Sequence, residues 1–122
     1  YTRTFVVRDA NMHVRAYYAL CAGMILRKDV PRSQRPHGTP VEIPIALLAR
    51  LAVHEDLHGQ GIGKALLANA LRNAASASQA VVVDALDEEA AQFYRNLGFQ
   101  PTKISPLKLI LPTQDILASM AD

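Results

Sequence analysis

The 122 residues predict an α/β (α+β) domain, with a mixed central sheet and helices packed on both faces. Three observations carry this. Strand-like apolar runs lie toward both ends of the chain. Between them, a run ending at Val53 passes through a glycine turn into an Ala/Leu-rich stretch of helical period, and a second apolar run, Ala80 to Leu86, follows it. One strand-helix-strand crossover flanked by further strands gives a mixed sheet rather than a purely parallel one.

Composition narrows the class before any motif is read. Half of the residues are hydrophobic and 20% are charged, which suits one compact domain. The longest apolar run, around Cys21, falls far short of the roughly 20 residues needed to cross a bilayer. A single cysteine cannot close an internal disulfide. No Cys/His group has metal-ligand spacing, so a cytoplasmic chain without metal or membrane is expected. Net charge is only +2, yet Arg27, Lys28, Arg32 and Arg35 cluster around one acid, Asp29, which points to a polyanionic partner on that side.

Taken in order, Thr4 to Val7 reads as a strand, Asp9-Ala10-Asn11 as a turn and Val14 to Leu20 as the second arm of a hairpin. Lys28 to Pro44 contains Pro31, Pro36, Gly38, Pro40 and Pro44 and is expected to be a surface loop. Ile45 to Val53 is apolar at nearly every position, as in a strand covered on both faces. From Ile62, residues Leu66, Leu67, Ala70, Leu71 and Ala74 recur at helical spacing, leaving Lys64, Asn69, Arg72 and Asn73 on the polar side. Asp87 can cap a helix whose first turn holds Glu88 and Glu89, and Ala90, Phe93 and Leu97 form its apolar side. Gly98 stops it, with Phe99 folding back on Phe93 or Tyr94. An extended run from Pro101 to Leu111 and a short helix near Pro112 to Leu117 complete the chain.

The turn between the central strand and its helix carries the chemistry. The leading N–H groups of a helix have no internal partner, and glycines let a phosphate approach them. A P-loop is excluded because His58 stands where its first glycine belongs and Ala65 where it needs a hydroxyl. The dinucleotide fingerprint fits Gly59 and Gly61 but meets Lys64 at its packing glycine, although Asp84 lies near the expected acidic position. His58-Gly59-Gln60-Gly61-Ile62-Gly63 resembles instead the coenzyme A loop of the GNAT superfamily of N-acetyltransferases, with His58 in place of Gln or Arg. A second stretch agrees. Asp87 to Phe99 resembles that family's Asn-x-x-Ala-x-x-Phe-Tyr-x-x-x-Gly-Phe signature at Ala90, Phe93, Tyr94, Gly98 and Phe99, with Asp87 replacing Asn.

The resemblance implies acetyl-CoA as cosubstrate and a division of labour among residues. Leu51, Ala52 and Val53 would hydrogen-bond the pantetheine arm, the Leu51 N–H also polarising the thioester carbonyl. Gly59, Gln60, Gly61, Ile62, Gly63 and Lys64 would hold the diphosphate, and Tyr94 would donate a proton to the departing sulfur. Within the superfamily, the run Ala49 to Val53, the Leu57 to Gly61 turn, the Tyr17-Tyr18-Ala19-Leu20 strand and the basic Pro-rich loop look like the GNAT toxins of bacterial toxin-antitoxin pairs. His58 is ordinary in that subgroup.

Such a toxin acetylates the α-amino group of aminoacyl-tRNA, blocks translation and is restrained by a ribbon-helix-helix antitoxin. Arg27, Lys28, Arg32, Arg35 and Arg72 then become candidate tRNA phosphate contacts, and a homodimer is expected. By the same resemblance, residues 1–122 are a single acetyltransferase domain lacking its N-terminal strand and helices, and the join at Ser76 to Gln79 is short. Two other readings remain: acetylation of a small amine or protein N-terminus, and a non-catalytic coenzyme A or nucleotide-binding module.

Overall fold

A computed structural model describes residues 2–8, 10–35, 38–53, 62–74 and 78–115. They build strands β1 (Thr2–Arg8), β2 (Val14–Leu26) and β3 (Glu42–Val53), helix α1 (Ile62–Ala74), β4 (Ala80–Asp84), helix α2 (Glu88–Asn96), β5 (Gln100–Pro101) and β6 (Lys108–Pro112). The sheet order is β1-β2-β3-β4-β6-β5. Only β3 and β4 run parallel; the other neighbours are antiparallel, so the sheet is mixed as expected, but the described helices α1 and α2 share one face and short 3-10 turns cover the other. No described helix is long and apolar enough to cross a membrane.

Alternation along the strands divides the core in two. Tyr18, Leu20, Leu48, Val81, Val83, Leu109 and Leu111 face α1 and α2, meeting Ala70, Ala74, Ala91, Tyr94 and Phe99. Ile25, Ile43, Ile45, Ala80, Val82 and Ile110 face the other way, where Val30 covers them between two 3-10 turns, Arg27–Asp29 and Arg32–Gln34. Strand β4 is buried from Ala80 through Val83 because both faces are covered. Each of its three valines contributes about 1.5–3 kcal/mol through burial.

Several elements differ from their sequence-based boundaries for identifiable reasons. The second strand runs on to Leu26, and the third begins at Glu42 with Pro44 inside it. Pro44 is tolerated because its backbone faces away from β2, toward the start of β4, where its carbonyl accepts from Gln79 N at 3.0 Å. A missing N–H there breaks no rung of the β2 ladder. The fourth strand ends at Asp84, since Ala85 turns its N–H to Leu107 O at 2.7 Å and leaves Leu86 outside, 90% exposed. The last extended run is two antiparallel strands, with Thr102 N donating to Lys108 O across the turn at 2.8 Å. Ile110 at the centre of β6 is fully buried. Ile110→Ala should therefore cost about 2–5 kcal/mol in chemical denaturation.

Candidate active site

The central strand gains a residue that its neighbour does not match. Leu20 pairs with Leu48 and Ala19 with Arg50, leaving Ala49 as a bulge in β3. The parallel pairing of β3 with β4 stops at the same level, at Leu48 and Val83. Beyond it, Leu51, Ala52 and Val53 pair with Tyr18, Tyr17 and Ala16 of β2, and no described strand pairs with them on the β4 side. A bulge bends its strand and sharpens the local twist. A wedge therefore opens between the carboxyl ends of two parallel strands, where open α/β sheets bind their ligands. Strand backbone that meets no described strand at that edge can offer alternating donors and acceptors, which suits an extended chain carrying amide groups.

The chain leaving β4 places a tyrosine in the core on the helical face of the sheet. Asp87 Oδ1 accepts from Ala90 N at 2.9 Å, fixing the start of α2. At its other end Gly98, at φ 105°, adopts a conformation that side chains disfavour. Gly98 N then donates to Arg95 O and Phe99 N to Tyr94 O. That reversal sets the buried Phe99 ring edge-on against Tyr94, 5.6 Å between centroids. Phe93 meets the other side of Tyr94 at 5.3 Å. Tyr94 is only 8% exposed, and desolvation raises its pKa above the usual tyrosine value of 10.0. Its phenol is thus a proton donor throughout the neutral range.

Two further groups complete the geometry. The ring of Tyr18, in β2, stacks on Phe5 and is fully buried; its hydroxyl donates to Asn69 Oδ1 at 2.6 Å and accepts from Asn73 Nδ2 at 2.8 Å. At the opposite end of β3, Leu26, Arg27, Lys28, Arg35 and Val41 line a surface depression of 430 Å³. Arg27 and Arg35 each give a donor to the local backbone, at Thr39 O and Val30 O. The stretch from Val41 to Leu51 is about 30 Å long at roughly 3.3 Å per strand residue.

A family model described as the acetyltransferase (GNAT) domain matches residues 2–101. The chain belongs to the GNAT acetyltransferases. It is 35% identical over 127 aligned residues to the tRNA-acetylating toxin of Mycobacterium tuberculosis, an alignment covering 99% of this chain and 75% of the toxin. It superposes on AtaT complexed with acetyl-methionyl-tRNAfMet with a TM-score of 0.85 and 30% identity, over 98% of this chain and 75% of that one. A mutant AtaT toxin bound to the C-terminus of the antitoxin AtaR and to acetyl-CoA gives 0.79 and 29% identity, over 99% and 73%.

Membership of the GNAT acetyltransferases makes this an N-acetyltransferase and accounts for the outline of the site, while the residues stand as follows. Leu51, Ala52 and Val53 carry the strand backbone past the bulge, and Tyr94 sits on α2. Gly59, Gln60 and Gly61 lie outside the described residues, whereas Ile62, Gly63 and Lys64 open α1. Arg27, Lys28, Arg32 and Arg35 do gather around the two 3-10 turns, and the exposed Arg72 lies in the last turn of α1. Asp84 pairs with Lys108 Nζ at 3.0 Å, which engages the acid a dinucleotide reading would need for a ribose.

Phe93, expected on the apolar side of α2, is 37% exposed on its flank; Ala91 and Tyr94 form the buried stripe. The link from Tyr18 to Asn69 and Asn73 is not signalled by hydropathy, although two Asn residues one helical turn apart beside a strand tyrosine are its only sequence trace. Burial of Tyr94 carries a linkage consequence. A raised folded-state pKa adds stability that is fully present below pH 10.0 and is lost as pH climbs through the folded value. Alkaline denaturation curves should show wild-type stability falling above that pH, with the component missing in Tyr94→Phe.

Proposed function

We propose that this chain is a GNAT toxin that uses acetyl-CoA to acetylate the α-amino group of aminoacyl-tRNA and so stops translation. The observation that carries the reading is a nearly buried, protonated tyrosine on the helix that follows β4, the strand from which β3 parts. The activities named for the similar toxins favour charged tRNA as the acceptor. The wedge fits the coenzyme because its unpaired strand edge is complementary to the two amides of the pantetheine arm.

When bound, acetyl-CoA supplies an activated acetyl thioester. The N–H of Leu51 donates to the carbonyl oxygen as negative charge builds there. The backbone of Leu51, Ala52 and Val53 aligns the arm, and Gly59, Gln60, Gly61, Ile62, Gly63 and Lys64 take the diphosphate at the head of α1. The neutral α-amino group forms the new C–N bond and releases its proton to water. Tyr94 gives its proton to the sulfur as the C–S bond breaks, since a thiol of pKa about 8.5 leaves more readily with a positioned donor. An α-amino pKa of about 8 leaves enough free amine at neutral pH for attack without a dedicated base.

Arg27, Lys28, Arg32, Arg35 and Arg72 hold phosphates of the tRNA body and position the substrate without reading its sequence. A ribbon-helix-helix antitoxin restrains the enzyme, which works as a homodimer in the cytoplasm. Residues 1–122 form one acetyltransferase domain.

Incubation with acetyl-CoA and a mixture of charged tRNAs should yield N-acetyl-aminoacyl-tRNA, and Tyr94→Phe should lower kcat by about 10²-fold or more while leaving acetyl-CoA affinity unchanged. Turnover of small amines or protein N-termini with charged tRNA untouched would replace the toxin reading. Coenzyme A binding without any transfer would reduce the chain to a binding module. Reversing Arg27 and Lys28 to Glu together should weaken tRNA binding and lower the slope of log K against log salt by about one per lost phosphate contact, in filter-binding titrations.

A further inference from the structure

Tyr18 occupies a junction that the chemistry above leaves unexplained. Its backbone lies directly across the ladder from Leu51, and its side chain rises from the same strand to α1. The hydroxyl is held on two sides, by Asn69 Oδ1 and Asn73 Nδ2, and those amides are joined to each other at 3.1 Å. Phe5 stacks on the ring at 4.6 Å and restricts its tilt. One hydrogen bond would let a helix roll about the contact. Two from residues one turn apart, tied together, fix both its roll and its slide.

Ala70 and Ala74 are buried against the sheet, and Leu71 packs partly buried beside them. Apolar contact of this kind is non-directional, whereas the hydrogen bonds at Tyr18 have a preferred distance and angle. They therefore select one placement of α1 among those the packing allows. Asn69 lies about 10 Å down the helix from Ile62 at roughly 1.5 Å per residue. A rigid helix transmits that placement to its amino end.

We infer that Tyr18 is a positioning residue which, through Asn69 and Asn73, sets the distance between the diphosphate-binding end of α1 and the thioester-binding edge at Leu51. This rests on the coenzyme A reading of the site given above. A ligand gripped at two points gains from the second grip only when the spacing matches. A ligand touching either end alone is indifferent to it. Loosening the helix should therefore weaken the whole coenzyme and spare its halves.

The test measures calorimetric Kd values for coenzyme A, for ADP as the diphosphate half and for pantetheine as the thiol half. In Tyr18→Phe, which keeps the buried ring and its stack, coenzyme A affinity should fall about tenfold while the two fragments change by less than about twofold. Asn73→Ala, on the exposed side of α1, should reproduce this pattern if Tyr18→Phe folds poorly. Asn69→Asp keeps an acceptor for the hydroxyl and should remain close to wild type, whereas Asn69→Ala should not.

In turnover, acetyl-CoA should suffer in Tyr18→Phe while S-acetylpantetheine, lacking the diphosphate, should be used as well as by wild type. An equal loss for the coenzyme and both fragments, or no loss for any, would overturn the inference. Wild-type protein that fails to bind coenzyme A would instead overturn the functional reading on which it rests.

Discussion

One extra residue at Ala49 governs the rest of the site. A strand in the middle of a sheet normally spends its backbone groups on both neighbours, and unpaired groups buried away from water are costly. After the bulge, β3 continues to pair with β2 while its parallel partner β4 has already ended its ladder at Val83. Past Leu48, no described strand pairs with β3 on the β4 side. Each strand then hands the chain to a helix, α1 after β3 and α2 after β4, and both helices lie on one face of the sheet. The amino end of α1 follows β3 in the chain and Tyr94 follows β4, so the elements proposed to carry the chemistry come from the two strands that part at the bulge.

The parts of this arrangement that were legible in the sequence are those set by local chemistry. The cap at Asp87, the reversal at Gly98 and the return of Phe99 onto Tyr94 depend on residues close in the chain, and each can be read from residue type. The buried run Ala80 to Val83 announces itself in the same way. Pairing partners do not. Pro44 looks like a loop residue until the neighbours of β3 show that its missing N–H faces no rung of β2. The last run looks like one strand because a two-residue strand such as β5 is too short to leave a periodicity. Phe93 looks like core because composition cannot tell which of two adjacent aromatic residues a helix will turn inward.

The same distinction explains the contact between Tyr18 and the two asparagines. Asn69 and Asn73 fall on the polar side of α1, and their polarity is accounted for by exposure alone when only one helix is considered. Their role depends on a hydroxyl contributed by a strand more than fifty residues earlier. A buried tyrosine needs a partner for its oxygen, and α1 supplies two. In return the helix gains a directional contact that apolar packing alone does not give.

The two sides of the sheet differ in electrostatics. The basic turns flank Val30 on the face opposite α1 and α2, so the apolar layer of the sheet stands between them and Tyr94. The shift of Tyr94 agrees with this, since its cause is desolvation and not a neighbouring charge. A cation close to Tyr94 would stabilise the phenolate and work against a proton donor. On the proposed reading, keeping the basic turns on one face and the tyrosine among Phe93, Phe99 and Ala91 on the other would let one small domain attract a polyanion without ionising its proton donor.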